Sequence, residues 1–266
     1  MQPKIAFFDI DGTLTRETDG RVPDSAVQAI RAARQNGHRM FLCSGRCLFD
    51  IEPRFTDIGF DGIVAGCGTH VLLSDGTVLF HRSLGPKVTR ELVLAGREAK
   101  VDLLFESAAF LSYDPTRPLT HPISLREFPL LAARGVNALL NVDAPDFNAD
   151  KMCVFSNDPE KTEKFLRVSE KYLDTVDRGE GMYELVPHSC SKATGIREVM
   201  AYYSLPADSA FAFGDSMNDL PMLTYVKNSV VMGNAQPESL KDIAFYVAPR
   251  ASEDGIAVAL RQLGFI

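Results

Sequence analysis

Ile5-Ala6-Phe7-Phe8-Asp9-Ile10-Asp11-Gly12-Thr13 is the stretch that decides the fold. Its unbroken apolar run suits a strand buried on both faces, the kind found in a parallel sheet. Asp9 stands where that strand should end, and open α/β sheets collect their ligands at the carboxyl ends of strands. Asp9 and Asp11 are two positions apart, and Gly12 implies a turn. Carboxylates this close repel one another unless a cation or a proton lies between them. A metal and acid–base chemistry are therefore expected at this strand end.

An isolated Asp-x-Asp-Gly is more often a solvated turn than a site. A second cluster far along the chain changes the balance. Ala210-Phe211-Ala212-Phe213-Gly214-Asp215-Ser216-Met217-Asn218-Asp219 repeats the pattern of an apolar strand with carboxylates at its end. Two such clusters can converge on one oxygen-rich site. Oxygen ligands without histidine or cysteine suit a hard cation, which points to Mg²⁺.

The chain has 266 residues, 45% hydrophobic and 24% charged, ordinary values for a soluble globular protein. That length fits one large domain or two modest ones. A net charge of −7 argues against a nucleic-acid partner or an anionic membrane surface. An acidic protein that binds an anion must draw positive charge from a metal, a lysine or helix N-termini. The N-terminus leads straight into a strand without a basic leader, and no apolar run approaches bilayer length. A cytoplasmic protein is expected. The five cysteines, Cys43, Cys47, Cys67, Cys153 and Cys190, are odd in number and lack zinc-like spacing. They read as reduced thiols used chiefly in packing.

The order of elements predicts one core built from both ends of the chain. A helix capped by Asp24 or Ser25 should run to about Asn36 and be followed by a strand at Met40–Cys43. A short strand near Gly62–Ala65 and a hairpin of Val71–Leu73 with Val78–Phe80 come next. Between about 85 and 186 the pattern changes to an α+β mixture. Its expected helices are Val88–Lys100 and Glu160–Tyr172. Its expected strands are Phe110–Tyr113, Ala138–Val142, Lys151–Phe155 and Met182–Val186. A βαβ rhythm resumes with a helix from Lys192 to Tyr203, then strands at Ala210–Asp215, Val230–Met232 and Phe245–Val247. The expected fold is a doubly wound, parallel-sheet α/β core (1–84 and 187–266) with an inserted α+β domain (85–186). An insertion at that point in the chain suggests a lid over the strand ends, where the core strands finish in Asp9, Ser44, Asp215 and Gly233-Asn234.

In this order the motifs resemble those of the haloacid dehalogenase superfamily, and within it the Cof-type, sugar-phosphatase-like branch with a type-II cap. Asp9-Ile10-Asp11-Gly12-Thr13 matches the nucleophile motif. Cys43-Ser44-Gly45-Arg46 resembles the second motif, with serine where threonine is usual. Ser191-Lys192 matches the third motif, and Gly214-Asp215-Ser216-Met217-Asn218-Asp219 the fourth. Gly233-Asn234-Ala235 and Asp254-Gly255 also fit the branch. Cys67-Gly68-Thr69 departs from the usual Asn-Gly-Ala.

The resemblance implies a Mg²⁺-dependent phosphatase. Asp9 would attack phosphorus and carry an aspartyl-phosphate, and Asp11 would serve as acid and then base. Ser44, Gly45 and Lys192 would hold the phosphate, with Asn218 on the same side. Asp9, the Asp11 carbonyl and Asp215 would coordinate the metal, while Asp219 would brace Lys192 or the metal's waters. Arg46 and His188 are candidate substrate contacts; a simple ion pair for Arg46 and a linker role for His188 compete with that reading. The expected partner is a small phosphorylated metabolite, and the expected state a monomer or homodimer. A phosphotransferase such as a phosphomutase, or a noncatalytic regulatory protein on the same fold, are the alternative classes.

Overall fold

The computed structural model describes residues 3–133 and 140–266. Their contacts divide the chain into two compact units. The first comprises Met1–Gly45, Ile51–His81 and Ser191–Ile266; the second comprises Arg46–Asp50 and Arg82–Cys190.

Along the chain, β1 (Ile5–Phe8), α1 (Asp24–Gln35), β2 (Arg39–Cys43), α2 (Pro53–Thr56), β3 (Gly62–Ala65), β4 (His70–Leu73) and β5 (Val78–His81) begin the first unit. The second unit follows with α3 (Pro86–Ala99), β6 (Asp102–Glu106), β7 (Leu111–Tyr113), α4 (Pro122–Ala133), β8 (Lys151–Phe155), α5 (Pro159–Ser169), β9 (Leu173–Asp177) and β10 (Met182–Pro187). The first unit then resumes with α6 (Lys192–Tyr203), β11 (Ala210–Ser216), α7 (Leu220–Tyr225), β12 (Asn228–Gln236), β13 (Tyr246–Val247) and α8 (Gly255–Gln262).

The first unit is built on an eight-stranded sheet ordered β13-β12-β11-β1-β2-β3-β4-β5. Its strands are parallel from β13 to β3, and the β4–β5 hairpin adds an antiparallel edge. β1 lies between β11 and β2, and all four of its residues are fully buried. That position explains why its sequence is a continuous apolar run rather than an alternation: helices cover both faces of a parallel sheet. On one face Ile5 and Phe7 pack with Phe41, Val64, Ile196 and Val199. On the other, Phe8 stacks on Phe213 at a 4.5 Å ring separation.

The second unit holds a five-stranded antiparallel sheet ordered β7-β6-β8-β10-β9. Alternate residues of β8 point to opposite faces. Met152 and Val154 pack with Leu92 and Val93 of α3 and Phe165 of α5, while Cys153 and Phe155 pack with Phe128 of α4. Lys151, on the Cys153 side, is buried between Glu106 and Glu184.

The structure differs from the sequence reading in several places. Neither Asp24 nor Ser25 caps α1: Pro23 occupies the cap position, and the Ser25 hydroxyl donates to Asp254 Oδ1 at 2.5 Å. Three elements of the second unit were not anticipated: β6, α4 and β9. Pro122 and Pro129 suggest irregular chain, yet Pro122 opens α4, where its missing N–H costs nothing, and Pro129 is accommodated inside the helix. The expected strand at Ala138–Val142 falls partly outside the described residues. Within them, Leu140 and Asn141 have no regular structure and Val142 lies in a turn.

Candidate active site

β1 and β11 run parallel with Phe8 opposite Phe213, so their carboxyl ends lie side by side. The Asp9 amide donates to Phe213 O at 3.0 Å, which extends the ladder to the first carboxylate. Beyond it the chain closes a wide turn, with Leu14 N donating to Asp9 O at 3.2 Å and Thr15 N to Ile10 O at 2.9 Å. Gly12 occupies this turn at φ +83° and comes very close to the second strand end: a Cβ there would lie 2.3 Å from Asp215 Oδ2. Only glycine meets both demands. Thr13 Oγ1 donates to Asp215 Oδ1 at 2.8 Å and ties the two acidic clusters together.

Lys192 arrives from the start of α6. Ser191 caps that helix reciprocally with Thr194: Thr194 N donates to Ser191 Oγ at 3.2 Å, and Ser191 N to Thr194 Oγ1 at 2.9 Å. The cap fixes the first helical residue, and the Lys192 ammonium reaches Asp9 Oδ1 and Asp219 Oδ1, each at 2.5 Å. Asp219 is itself fully engaged. Its Oδ2 accepts from Asp215 N at 2.9 Å and Ser216 N at 3.0 Å, and it is completely buried.

The electrostatics follow from burial and crowding. Burial, and then the Asp219 charge, hold the Asp9 carboxyl well above the ordinary carboxylate range, against the pull of Lys192. Burial and Asp219 also push Asp215 up to about 7. Burial opposes the charge on Lys192, but Asp219 and Asp9 outweigh it and hold the ammonium well above its usual value. Ligand oxygens of Asp9, Asp215 and Asp219 lie within 4.8 Å of one another. Three carboxylates thus face one ammonium, an excess of negative charge that a proton or a cation would relieve.

A profile of the haloacid dehalogenase-like hydrolases matches residues 6–260, from the first strand through the last helix. The chain belongs to that family. Among its relatives is YkrA of Bacillus subtilis (strain 168), which carries a provisional phosphatase name and is 31% identical across the whole of both chains. An HMP-PP phosphatase of Yersinia enterocolitica is 28% identical, covering 97% of this chain and 94% of the relative. Solved structures agree on the hydrolase fold. A hypothetical protein from Geobacillus kaustophilus HTA426 superposes with a TM-score of 0.84 at 27% identity, covering 99% of this chain and all of the other. The subclass IIB sugar phosphatase BT4131 superposes at a TM-score of 0.80 and 23% identity, covering 99% of this chain and 100% of the other.

The remaining residues singled out from sequence sit as follows in this hydrolase. Asp11 lies exposed in the turn after β1. Ser44 follows β2 and is almost fully buried; its amide donates to Val64 O at 2.8 Å and its carbonyl accepts from Cys67 N at 3.0 Å. Gly45 closes the same segment of the first unit, whereas Arg46 groups with the second unit and pairs with Asp50 at 3.8 Å. Asn218 Oδ1 accepts from the Ser216 hydroxyl at 2.6 Å, in the turn that carries Asp219. His188 belongs to the second unit, where Nδ1 lies 2.9 Å from Asp174 Oδ1 and Nε2 3.1 Å from Glu170 O. None of the five cysteines forms a disulfide, and all five are buried.

Two residues of the assembly carry no role that the sequence reveals. Thr13 is one member of a motif in the sequence, and in the structure it binds Asp215. Asn234 stands at a strand end, and its Nδ2 donates to Gly12 O at 2.7 Å. The signal for both was position: each follows an apolar run whose strand joins the same sheet edge. The chemistry was invisible because each partner is remote in sequence, 202 residues away for Thr13 and 222 for Asn234.

Proposed function

We propose that this hydrolase is a Mg²⁺-dependent phosphatase that cleaves a small phosphorylated metabolite through an aspartyl-phosphate on Asp9. The observation that carries this reading is the buried Asp9–Lys192–Asp219 array beside Asp215, with its excess of carboxylates. Relatives named as phosphatases, one of them for HMP-PP, support the reaction class, and a sugar phosphate is one candidate substrate to test.

The donor set fits Mg²⁺, which prefers carboxylate and carbonyl oxygens. Asp9, Asp215 and the Asp11 carbonyl would hold it. Asp219 has both oxygens committed to Lys192 and to two main-chain amides, so it acts as a brace. When bound, the cation neutralises charge between an anionic nucleophile and an anionic phosphate.

The protein's own groups then divide the work. An Asp9 oxygen forms a bond to phosphorus as the ester oxygen leaves, and Asp11 gives that oxygen its proton. Asp11 next takes a proton from water, whose oxygen attacks the phosphoryl group and frees Asp9 with release of inorganic phosphate. Lys192 and the Ser44 hydroxyl hold phosphate oxygens, with Gly45 and Asn218 lining the same side. The inserted segment, residues 85–186, is assigned the discrimination among substrates.

Inorganic phosphate release from a panel of sugar phosphates and an aryl phosphate, with Mg²⁺ present, tests the activity. Rapid-quench mass spectrometry should place a phosphoryl adduct on the peptide containing Asp9. No release from any ester, or an adduct on serine or histidine, would overturn the reading. Transfer to a second sugar without free phosphate would identify a phosphotransferase. Replacing 85–186 with a short Gly/Ser linker should spare slow hydrolysis of the aryl phosphate and abolish discrimination among natural esters. A folded variant with unchanged substrate ranking would place specificity in the core.

A further inference from the structure

The carbonyl of Gly12 has a side-chain partner that the chemistry above does not use. Asn234, in the last part of β12, donates from Nδ2 to Gly12 O at 2.7 Å and accepts at Oδ1 from Ala251 N at 2.9 Å. The two partners fix the orientation of the amide, because a carbonyl can only accept and a main-chain N–H can only donate. Asn234 thus spans from the turn after β1 to the segment before α8.

That segment is anchored independently. The Glu17 carboxylate accepts from Arg250 Nε at 2.8 Å, Ser252 Oγ at 2.7 Å and Ser252 N at 3.1 Å. Ser25 Oγ donates to Asp254 Oδ1 at 2.5 Å. Asn234 therefore leans on a fixed support and not on a free loop. On its other side the Gly12 peptide is held by Gly12 N donating to Thr15 Oγ1 at 3.2 Å, and Thr15 Oγ1 donating to Ile10 O at 3.0 Å. Asp11 is the residue between the strand end and this clamped glycine.

We propose that Asn234 is a positioning residue: by holding the Gly12 carbonyl against the Arg250–Asp254 segment, it sets the backbone turn that carries Asp11. The link to the reaction rests on the phosphatase reading of Asp9 and Asp11. The mechanical part does not. A general acid displaced by even about 1 Å can lose on the order of 100-fold in rate. Substrate affinity should change little, because Asn234 is assigned no contact with the substrate.

Two variants separate the hydrogen bonds. Asn234→Ala removes both. Asn234→Asp keeps the acceptor for Ala251 N–H and removes the donor to Gly12. The readouts are hydrogen exchange at the Leu14 and Thr15 amides in the metal-free protein, and kcat and KM for an aryl phosphate with Mg²⁺. In both variants we expect exchange at Leu14 and Thr15 to speed up about tenfold or more and kcat to fall about 10- to 100-fold, with KM within about threefold of wild type. Asn234→Asp should keep more thermal stability than Asn234→Ala. Unchanged exchange in Asn234→Asp would overturn the positioning role, as would faster exchange with wild-type kcat. A wild-type protein inactive on every ester would overturn the phosphatase reading instead, and the exchange result would still decide whether Asn234 holds the turn.

Discussion

Lys192 Nζ lies 2.5 Å from Asp9 Oδ1 and the same distance from Asp219 Oδ1, with all three side chains almost wholly buried. Asp219 is locked to the backbone of its own turn, so it sets where the ammonium sits, and the ammonium in turn sets Asp9. On the proposed mechanism, Lys192→Ala should lower kcat by about 100- to 1000-fold, through loss of charge stabilisation around the phosphoryl group. It should also destabilise the fold by about 3–5 kcal/mol, because two buried carboxylates lose their counter-charge. Lys192→Met should show the same pair of losses. Denaturant melts and initial rates on one protein preparation check both.

If Asp9 is the proposed nucleophile, Asp9→Asn should abolish turnover while the fold persists, since an amide oxygen is a poor nucleophile. It should also raise the stability of the metal-free protein, because it removes one of the crowded charges. A urea midpoint below that of wild type, in the presence of chelator, would contradict the repulsion described at this site.

Stability of the metal-free protein should fall as pH rises from about 4 to about 7. The folded state holds the Asp215 proton up to about 7, against 3.8 for an ordinary aspartate. Between those values the native state binds more protons than the unfolded state, so unfolding free energy decreases with pH and levels off above the folded value. The loss is on the order of 4 kcal/mol for a shift from 3.8 to about 7. Asp215→Asn should flatten that slope. Millimolar Mg²⁺ should raise the melting temperature of wild type at pH 8 and have little effect on Asp215→Asn. Calorimetry at several pH values, with and without the cation, reads all three outcomes.

Gly12→Ala should be far more damaging than a typical surface change. The new methyl would sit 2.3 Å from Asp215 Oδ2, and the backbone stands at φ +83°. Strain of about 1–2 kcal/mol adds to the displacement of a carboxylate. The expected signature is a lower melting temperature together with a weakened thermal response to Mg²⁺.

Cys67 occupies a left-handed conformation at φ 54° and ψ 39°, directly after β3. Asparagine tolerates that region better than cysteine does. Cys67→Asn should therefore preserve the fold and raise the melting temperature slightly, by up to about 1 kcal/mol in free energy. Thermal melts of the two proteins check the direction.

How much of this was legible beforehand depended on where each residue's partner lies. The β1 strand could be read from four consecutive apolar residues because a central parallel strand is buried on both sides. The start of α6 was readable because Ser191 precedes an uninterrupted helical stretch. In the second unit the same logic gave less. β9 is an edge strand with exposed positions, and so lacks a strong apolar signal. Prolines disguised α4. At the site, strand-end positions singled out Asp9 and Asp215, and a helix start singled out Lys192. The lock on Asp219 and the clamp at Asn234 stayed hidden, since each depends on the direction of a main-chain N–H or C=O that sequence does not reveal.

The central strand β1 has neighbours of very different origin. β2 follows it closely in the chain, whereas β11 arrives only after the whole inserted unit, and Lys192 lies 183 residues beyond Asp9. During synthesis the ribosome must deliver most of the polypeptide before the edge of β1 that faces β11 can be covered. Until then the growing chain exposes an unpaired, fully apolar strand, the kind of surface that recruits chaperones or aggregates. The antiparallel sheet of the second unit draws only on residues within its own span and can form in the meantime. Slow translation or limiting chaperone supply should accordingly penalise the yield of this protein through β1, long before any chemistry at Asp9 is possible.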